Sequence, residues 1–566
     1  MVRTLLALLI TTSAMSGAIA ASLSAVPSVA PLPSVDAGVA RFDRARISED
    51  IRILASDRFE GRSVGTEGEQ RTIAYIVERM KAIGLMPGGE IVAGRRQWTQ
   101  RVPMLRSTLE GTVSAKVTTA KGTTPLTQGE QIAVRPPLNG SPQIALDSVP
   151  LVFAGYGIDA PEKKWNDFAG VDVAGKVVVV LVNDPDFESG SGDFDGRTMT
   201  YYGRYLYKFA EAARHGAAGV LVVHEDGPAG YGWSTVRTSS LAAATDVVRV
   251  DAGKAHSVLE GWIPRVQAAA LFAAAGRDFE TEKKAAQRRG FKGYDLGSTV
   301  SVSAGAKVEK IVSHNVLGRI PGTIRPDDVL MFSAHWDQDG IGDPDANGNR
   351  VSPGALDNAS GVAMILELAR VWRREGASPR SAVFMAPTAE ERGMLGAEYY
   401  ATHPVYPLER TAAVFNLDTS VGGGVARDFS IRGNPCNTLV TVFEEAGKPR
   451  GRYRSLDPLA PAGTMYRSDH FPFARLGVPA LTYSFGEDLV EGGRARGAAW
   501  AAEYFKDRYH QRSDRWSPEL NLESVAPDLD LIYAAARTVA RSSDWPQWCL
   551  ASEFAPVRAS SDGLRQ

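Results

Sequence analysis

The apolar positions in the second half of the chain fall into short continuous runs separated by longer amphipathic stretches. The runs Val329–Ser333, Ala382–Ala386, Ala412–Leu417 and Pro479–Tyr483 are bounded by polar residues, which is typical of strands buried on both faces. Residues 358–374 instead repeat their apolar positions every three or four residues and are predicted to form a helix. This alternation predicts an α/β fold, a three-layer sandwich in which helices cover a mostly parallel central sheet.

The first half of the chain contains a second, smaller set of elements. Strand-like runs at Val149–Phe153, Lys176–Val182 and Gly219–Val223 surround a predicted helix at Tyr205–His215. We therefore expect a small α/β domain to be inserted over residues 145–295.

The larger domain is expected to lie on both sides of this insert. Its N-terminal part, residues 42–144, begins with an amphipathic helix for which Ser48 is the predicted N-cap and which ends at Gly84. Short alternating strands are predicted to follow from about 98 to 150. Its main part spans residues 296–550. The polar residues 551–566 are predicted to form a flexible tail.

The N-terminus has the pattern of an exported protein. Arg3 precedes an apolar run, which the small residues Ala18-Ile19-Ala20 follow. Residues 1–20 are therefore predicted to be a cleaved signal peptide, too short for a membrane span, and residues 21–41 a flexible leader. No later apolar run is long enough to cross a membrane, so we expect a periplasmic or secreted protein.

Composition and charge narrow the choice of function. The chain has 566 residues, with 63 Lys and Arg against 65 Asp and Glu, so it has no basic field for nucleic acid. Its 8 His and 2 Cys exclude a zinc ribbon or a disulfide framework, and any metal site must consist mostly of carboxylates. In an oxidising compartment Cys436 and Cys549 either form a disulfide or remain two separate thiols.

Acidic residues and histidines follow the predicted strands, at the sheet edge where α/β proteins bind their ligands. His335-Trp336-Asp337 follows the first strand, Ala389-Glu390-Glu391 the second and Asp418 the third. Asp357 stands at the start of the predicted helix, on the same edge, and Tyr509-His510 lies near the end of the domain. We expect these side chains to converge.

Such a convergence brings together five candidate metal ligands: His335, Asp357, Glu391, Asp418 and His510. This donor set suits zinc and also accepts Co²⁺ or Mn²⁺. It exceeds the three protein ligands of a single catalytic zinc, so two ions sharing a bridging carboxylate fit better and indicate a hydrolase. Neither the Gly-x-Ser-x-Gly motif of serine hydrolases nor the His-Glu-x-x-His motif of single-zinc proteases occurs in the sequence.

The motifs as a set resemble metallopeptidase family 28, which contains di-zinc aminopeptidases and glutamate-carboxypeptidase-like enzymes. The resemblance rests on His335-Trp336-Asp337, Gly354-Ala355-Leu356-Asp357-Asn358-Ala359-Ser360-Gly361, Glu390-Glu391-Arg392-Gly393, Asn416-Leu417-Asp418, Ser468-Asp469-His470 and Tyr509-His510. The turn Phe59-Glu60-Gly61-Arg62 looks like part of the family's opening helical region. The insert resembles a protease-associated (PA) domain.

The resemblance implies a role for each ligand. His335 and Asp418 would hold one Zn²⁺ ion, Glu391 and His510 the other, and Asp357 would bridge the two ions. It also implies a cis peptide bond between Asp357 and Asn358.

Four further residues are assigned supporting or catalytic roles. Glu390 would be the general base, because a base must stand beside the attacking water without being a committed ligand. Asp337 is expected to orient His335, and Asp514 to orient His510. Tyr509 would donate a hydrogen bond to the developing oxyanion.

The activity expected from this resemblance is that of an aminopeptidase acting on peptides. A carboxypeptidase is the first alternative, since Asn416-Leu417-Asp418-Thr419-Ser420 departs from the ending common in plain aminopeptidases and Arg467 or Arg494 could bind a substrate carboxylate. A receptor-like protein with the same fold and no activity is the second alternative.

Overall fold

A computed structural model describes residues 42–565, so the predicted signal peptide and leader lie outside the described residues. The longer helices are Arg44–Leu54, Glu67–Ile83, Tyr205–Arg214, Trp233–Leu241, Arg265–Ala274, Phe279–Ala286, Ser360–Arg374, Leu395–Thr402, Thr438–Gly447, His470–Arg475, Gly493–Asp507, Val525–Arg541 and Ala555–Ala559. The longer strands are Thr99–Thr119, Gly122–Leu126, Gln143–Phe153, Val177–Leu181, Gly219–His224, Ala244–Val247, Leu259–Pro264, Tyr294–Ile320, Arg325–Ser333, Arg380–Ala386, Thr411–Leu417, Asp428–Ile431 and Ala480–Ser484. Within the described range, none of the helices combines the length and the apolar character needed to cross a membrane.

The strands predicted in the second half of the chain lie side by side in one sheet. Arg325–Ser333 lies between Arg380–Ala386 and Thr411–Leu417, with Ala480–Ser484 beyond the latter, and all four strands are parallel. Every residue of Arg380–Ala386 and of Thr411–Leu417 is buried. This burial on both faces explains why the strands read as continuous apolar runs, and it confirms the prediction of a mostly parallel sheet.

Helices cover both faces of this sheet and give it separate apolar cores. Alternate side chains of a strand point to opposite faces, so Phe332 belongs to the core beneath helices Ser360–Arg374 and Val525–Arg541. The preceding residue, Met331, belongs to the core beneath helix Leu395–Thr402. The predicted three-layer arrangement is therefore confirmed.

The predicted insert forms a second group of parallel strands, Gln143–Phe153, Val177–Leu181, Gly219–His224 and Leu259–Pro264. The long strand Tyr294–Ile320 joins the two groups, because its first part pairs with the insert and its last part pairs with the main sheet. The core of the insert includes Val117 and Leu126, which precede the boundary expected at residue 145.

Two local predictions for the N-terminal part are wrong. Thr99–Thr119 is one strand of 21 residues rather than several short strands, since it pairs along its length with Tyr294–Ile320. The first helix begins at Arg44, because Oδ1 of Asp43 accepts hydrogen bonds from the backbone N–H groups of the first helical turn. Ser48 therefore lies inside this helix.

The prediction of a flexible tail is also wrong, because residues 551–565 pack against the main domain. Phe554 and Arg558 are buried, and the Arg558 guanidinium donates a 3.3 Å hydrogen bond to the Thr411 carbonyl. A disulfide between Cys436 and Cys549 ties this C-terminal segment to the sheet, which answers the question that the sequence left open.

Replacing both cysteines by serine is expected to lower the free energy of unfolding by about 4–5 kcal/mol. The disulfide joins residues 113 positions apart, and the entropy that a cross-link removes from the unfolded chain increases with loop length. Urea unfolding of the double variant and of the wild type measures the difference. A reductant should destabilise the wild type and leave the variant unchanged; equal stability of the two proteins would show that the disulfide has no such effect.

Candidate metal centre

The topology brings the predicted metal ligands to one edge of the main sheet. His335, Glu391 and Asp418 follow three neighbouring parallel strands at the edge where those strands end. Asp357 lies in the loop before helix Ser360–Arg374, and His510 comes from a turn late in the chain. All five side chains therefore meet, although they come from separate parts of the sequence.

The first group of ligand atoms consists of one imidazole nitrogen of the buried His335 and one carboxylate oxygen each of Asp357 and Asp418. The Nε2 atom of His335 lies 3.2 Å from Oδ1 of Asp357 and 3.6 Å from Oδ1 of Asp418. All three residues are buried.

A second group is formed around His510. Its Nε2 atom lies 3.2 Å from Oδ2 of Asp357 and 3.1 Å from Oε2 of Glu391. The two oxygens of Asp357 thus face different imidazoles, and Asp357 is the residue that the two groups share. His510 is the most open of the five side chains, with 38% of its surface exposed.

The donor atoms fit metal ions of the size of zinc. Within each group the ligand atoms lie within 4.8 Å of one another. Ligands bound tetrahedrally at zinc distances are about 3.3 Å apart, close to the separations seen here. Oδ1 of Asp357 is also buried without a hydrogen-bond partner, a costly state for a carboxylate oxygen unless it binds an ion.

The loop that carries Asp357 has an irregular backbone held by Asp514. The Asp357–Asn358 peptide bond is cis, as the resemblance implies, and regular helix begins only at Ser360 rather than at Asn358. The Asp514 carboxylate accepts hydrogen bonds from the backbone N–H groups of Leu356 and Asp357, each at 3.0 Å. Asp514 therefore holds this loop, and no contact with the His510 imidazole is seen among the described residues.

Asp337 lies between His335 and the loop that follows strand Arg380–Ala386. Its Oδ1 atom is 3.7 Å from Nδ1 of His335, whose closer partner is the Asp337 carbonyl at 3.3 Å. The same carboxylate accepts the backbone N–H groups of Glu390 at 2.9 Å and of Glu391 at 3.3 Å. Asp337 thus joins two parts of the centre, a wider contact than the one predicted.

Glu390 belongs to neither ligand group but lies beside them. Burial, together with the negative charges of Asp418, Asp469 and Glu391, raises the pKa of Glu390 well above its ordinary value, against an opposing effect of His335. Asp469 is fully buried, and neither of its carboxylate oxygens has a hydrogen-bond partner. This side of the centre is therefore rich in buried carboxyl groups that resist ionisation.

The two histidines respond to the same carboxylates. Burial alone would lower the pKa of His335, but the nearby carboxylates of Asp337, Asp357 and Asp418 outweigh it and raise the pKa well above the ordinary value. Burial likewise opposes ionisation of Asp357, yet its contacts with His335 and His510 lower its pKa. Asp357 is thus an anion, the form that binds a cation.

A cavity of about 210 Å³ opens beside the centre. Tyr509 lines it and stacks on His510 with the ring centroids 4.0 Å apart. Arg432 also lines it, and reaches Asp418 with 3.4 Å between Nη1 and Oδ2. Two lining side chains of the cavity therefore contact ligands, Tyr509 in one group and Arg432 in the other.

Contacts of three residues with the ligands were not predicted from the sequence. The Gln338 amide donates to Oε1 of Glu391 at 2.8 Å and to the Asp357 carbonyl at 2.9 Å. The Ser468 hydroxyl donates to Oδ2 of Asp418 at 2.6 Å, and Arg432 contacts the same carboxylate. Ser468 and Gln338 stand within or next to quoted motifs, whereas Arg432 follows a short strand that no pattern revealed.

Residues 315–532 match the family model described as Peptidase family M28. Aminopeptidase YwaD from Bacillus subtilis is 30% identical over 183 residues, which are 32% of this chain and 37% of that protein. Aminopeptidase NAALADL1 from Mus musculus is 33% identical over 138 residues, which are 23% of this chain and 16% of that protein. The chain thus spans little more than a third of the length of the first relative, and less of the second.

Two solved structures align with most of the chain at low sequence identity. An aminopeptidase from Aneurinibacillus sp. strain AM-1 aligns with 90% of this chain and 96% of its own, at 20% identity and a TM-score of 0.49. BSAP, a zinc aminopeptidase from Bacillus subtilis, aligns with 88% of this chain and 96% of its own, at 19% identity and a TM-score of 0.43.

Proposed function

We propose that this protein, which carries a peptidase family M28 domain over residues 315–532, is an exported zinc-dependent exopeptidase, and specifically an aminopeptidase. One observation carries the proposal: two groups of histidine and carboxylate ligands share Asp357, with the uncommitted carboxylate of Glu390 beside them. The two relatives named as aminopeptidases support the same activity.

In this proposal His335 and Asp418 hold one zinc ion, Glu391 and His510 hold a second, and Asp357 binds both. When bound, zinc supplies Lewis-acid polarisation and lowers the pKa of an attacking water.

Glu390 takes a proton from the attacking water and delivers it to the leaving amine, because its carboxylate belongs to neither ligand group and is free to accept a proton. Tyr509 lines the adjoining cavity beside His510 and donates a hydrogen bond to the developing oxyanion. The cavity itself receives a substrate side chain.

The insert over residues 145–295 is proposed to be a PA domain that shapes substrate access. The Tyr201 ring lies 6.1 Å from Tyr466 and 5.0 Å from Phe471, in the segment that also contributes cavity-lining residues. Residues 42–144 and 296–550 then form the peptidase domain. The disulfide supports export to the periplasm or the medium, because such bonds persist in oxidising compartments.

A carboxypeptidase is the second candidate, and one residue favours it. Arg467 lines the cavity, is exposed, and has no carboxylate partner among residues 42–565, so it could bind a substrate carboxylate. Arg494 is less suitable, because it already pairs with Asp428 at 3.4 Å. The sequence keeps all five proposed ligands and Glu390, which supports an enzyme rather than an inactive receptor.

A paired assay separates these activities. The zinc-loaded protein is expected to release chromophore from aminoacyl p-nitroanilides and to leave N-blocked peptides with a free C-terminus uncut. The opposite preference would support the carboxypeptidase, and silence on both substrates would support the receptor. Arg467→Ala serves as an internal control, since it should change turnover of the blocked peptides only if they are substrates.

A further inference from the structure

A short turn in the N-terminal part of the chain has a strained backbone. Glu60, Gly61 and Arg62 have φ angles of 53°, 64° and 50°, three successive residues in the left-handed region. For the two residues other than glycine this conformation costs about 1–2 kcal/mol each, so surrounding contacts must hold it. A Cβ atom on Gly61 would lie 2.6 Å from the Ser352 carbonyl oxygen, which shows how closely the turn packs on the neighbouring loop.

The turn places the Arg62 side chain directly behind the metal centre. Arg62 is 1% exposed, and its guanidinium donates to the Trp336 carbonyl at 2.8 Å and to the Gly354 carbonyl at 3.0 Å. It also donates to the carbonyls of Pro353 at 2.5 Å and of Leu54 at 2.9 Å. One side chain therefore ties the residue after His335 to the loop that carries Asp357.

Arg62 also contributes charge to this region. It lies close enough to Asp337, Asp357, Glu391 and Asp514 for their charges to stabilise its cationic form. Burial lowers the pKa of Arg62 to about 10, so it stays positively charged at neutral pH. A permanent cation thus stands behind a cluster of carboxylates that would otherwise repel one another.

We propose that Arg62 is a positioning residue of the metal centre, which fixes the separation of His335 and Asp357 and so sets the affinity for zinc. The inference rests on the proposed function. It extends the site beyond residues 315–532 to the N-terminal part of the chain.

The test compares two buried arginines in the full-length protein. Arg62→Lys keeps the charge but loses the planar fork that reaches four carbonyls. Its dissociation constant for zinc, measured by competition with a chromogenic chelator, is expected to rise about 10–100-fold, as for outer contacts of other metal sites. The absorption spectrum of the Co²⁺ form should also change, and kcat should fall more than KM changes.

Arg380 provides the matched control. It is fully buried and donates to the carbonyls of Val539, Ser543 and Asp544, away from the metal centre. Arg380→Lys should therefore destabilise the fold without changing zinc affinity. If Arg62→Lys behaves in the same way while the wild type binds zinc, the proposal is overturned; if the wild type binds no zinc, the proposed function fails as well.

A second pair of variants decides the matter if Arg62→Lys does not fold. Gly61→Ala retains Arg62 but forces the turn away from the Ser352 carbonyl, and should weaken zinc binding. Gly65→Ala is its control, because Gly65 has a φ of +79° and its new Cβ would meet only Arg106, at 3.8 Å. Equal zinc affinity of the two folded variants would overturn the proposal.

Discussion

Glu390→Gln is expected to lower kcat by about 10²–10⁴-fold while zinc content and stability stay at the wild-type level. Glutamine has nearly the same shape as glutamate but cannot accept a proton at neutral pH. Glu390 belongs to neither ligand group, and the Asp337 carboxylate holds its backbone N–H rather than its side chain. The substitution should therefore remove proton transfer and nothing else. Steady-state kinetics on an aminoacyl p-nitroanilide, with metal analysis of the same sample, measure both quantities.

Two further variants make this result specific. Glu445→Gln changes an exposed glutamate of helix Thr438–Gly447 and should leave kcat unchanged. Glu391→Gln changes a neighbouring ligand and should reduce zinc content, unlike Glu390→Gln. Near-normal turnover of Glu390→Gln with full zinc content would mean that another group accepts the proton.

The main sheet and its ligands were predictable because each depends on short-range sequence patterns. A parallel strand covered on both faces must be apolar at every position, as Arg380–Ala386 is, so the sequence marks where it ends. Since parallel strands end at a common edge, the polar residues beyond them meet there, and this rule placed His335 next to Asp418.

The features that were missed depend on contacts between distant parts of the chain. The Arg62 guanidinium bonds to a carbonyl 274 residues away, and the turn motif that contains Arg62 does not reveal this contact. The target of Asp514 depends on the close approach of two loops, so the sequence suggested its nearest histidine instead. Thr99–Thr119 is long because the longer strand Tyr294–Ile320 pairs along nearly all of it, which its own alternation does not reveal.

The electrostatics of the centre explain why cations are needed there. Burial and neighbouring carboxylates raise the pKa of Glu391 and of Asp469 well above ordinary values. Buried carboxyl groups that are crowded into one site cannot all ionise without a compensating charge. Arg62 and Arg432 supply part of it, since Arg62 interacts with the charge of Asp357 and Arg432 contacts Asp418. Divalent ions between the ligands would supply the rest.

Asp357→Asn is expected to abolish measurable turnover and to lower zinc content, a larger effect than that of Glu390→Gln. Asp357 is shared by both ligand groups, with its two oxygens each 3.2 Å from an imidazole Nε2 atom, of His335 and of His510. Asparagine keeps one side-chain oxygen but has an NH2 group in place of the other, and this group does not bind a metal ion. The substitution also removes the negative charge between the two proposed metal sites. Metal analysis after dialysis, with activity at saturating zinc, tests both consequences.

A buried aspartate at the opposite end of the same sheet separates this effect from simple destabilisation. Asp328 lies in strand Arg325–Ser333, is 2% exposed, and forms ion pairs with Arg410 and Arg380. Asp328→Asn should lower the free energy of unfolding because it leaves buried cations less well compensated, yet zinc content should not change. If Asp357→Asn retained wild-type zinc content and turnover, Asp357 could not be the bridge between two ions, and the two-metal arrangement would have to be abandoned.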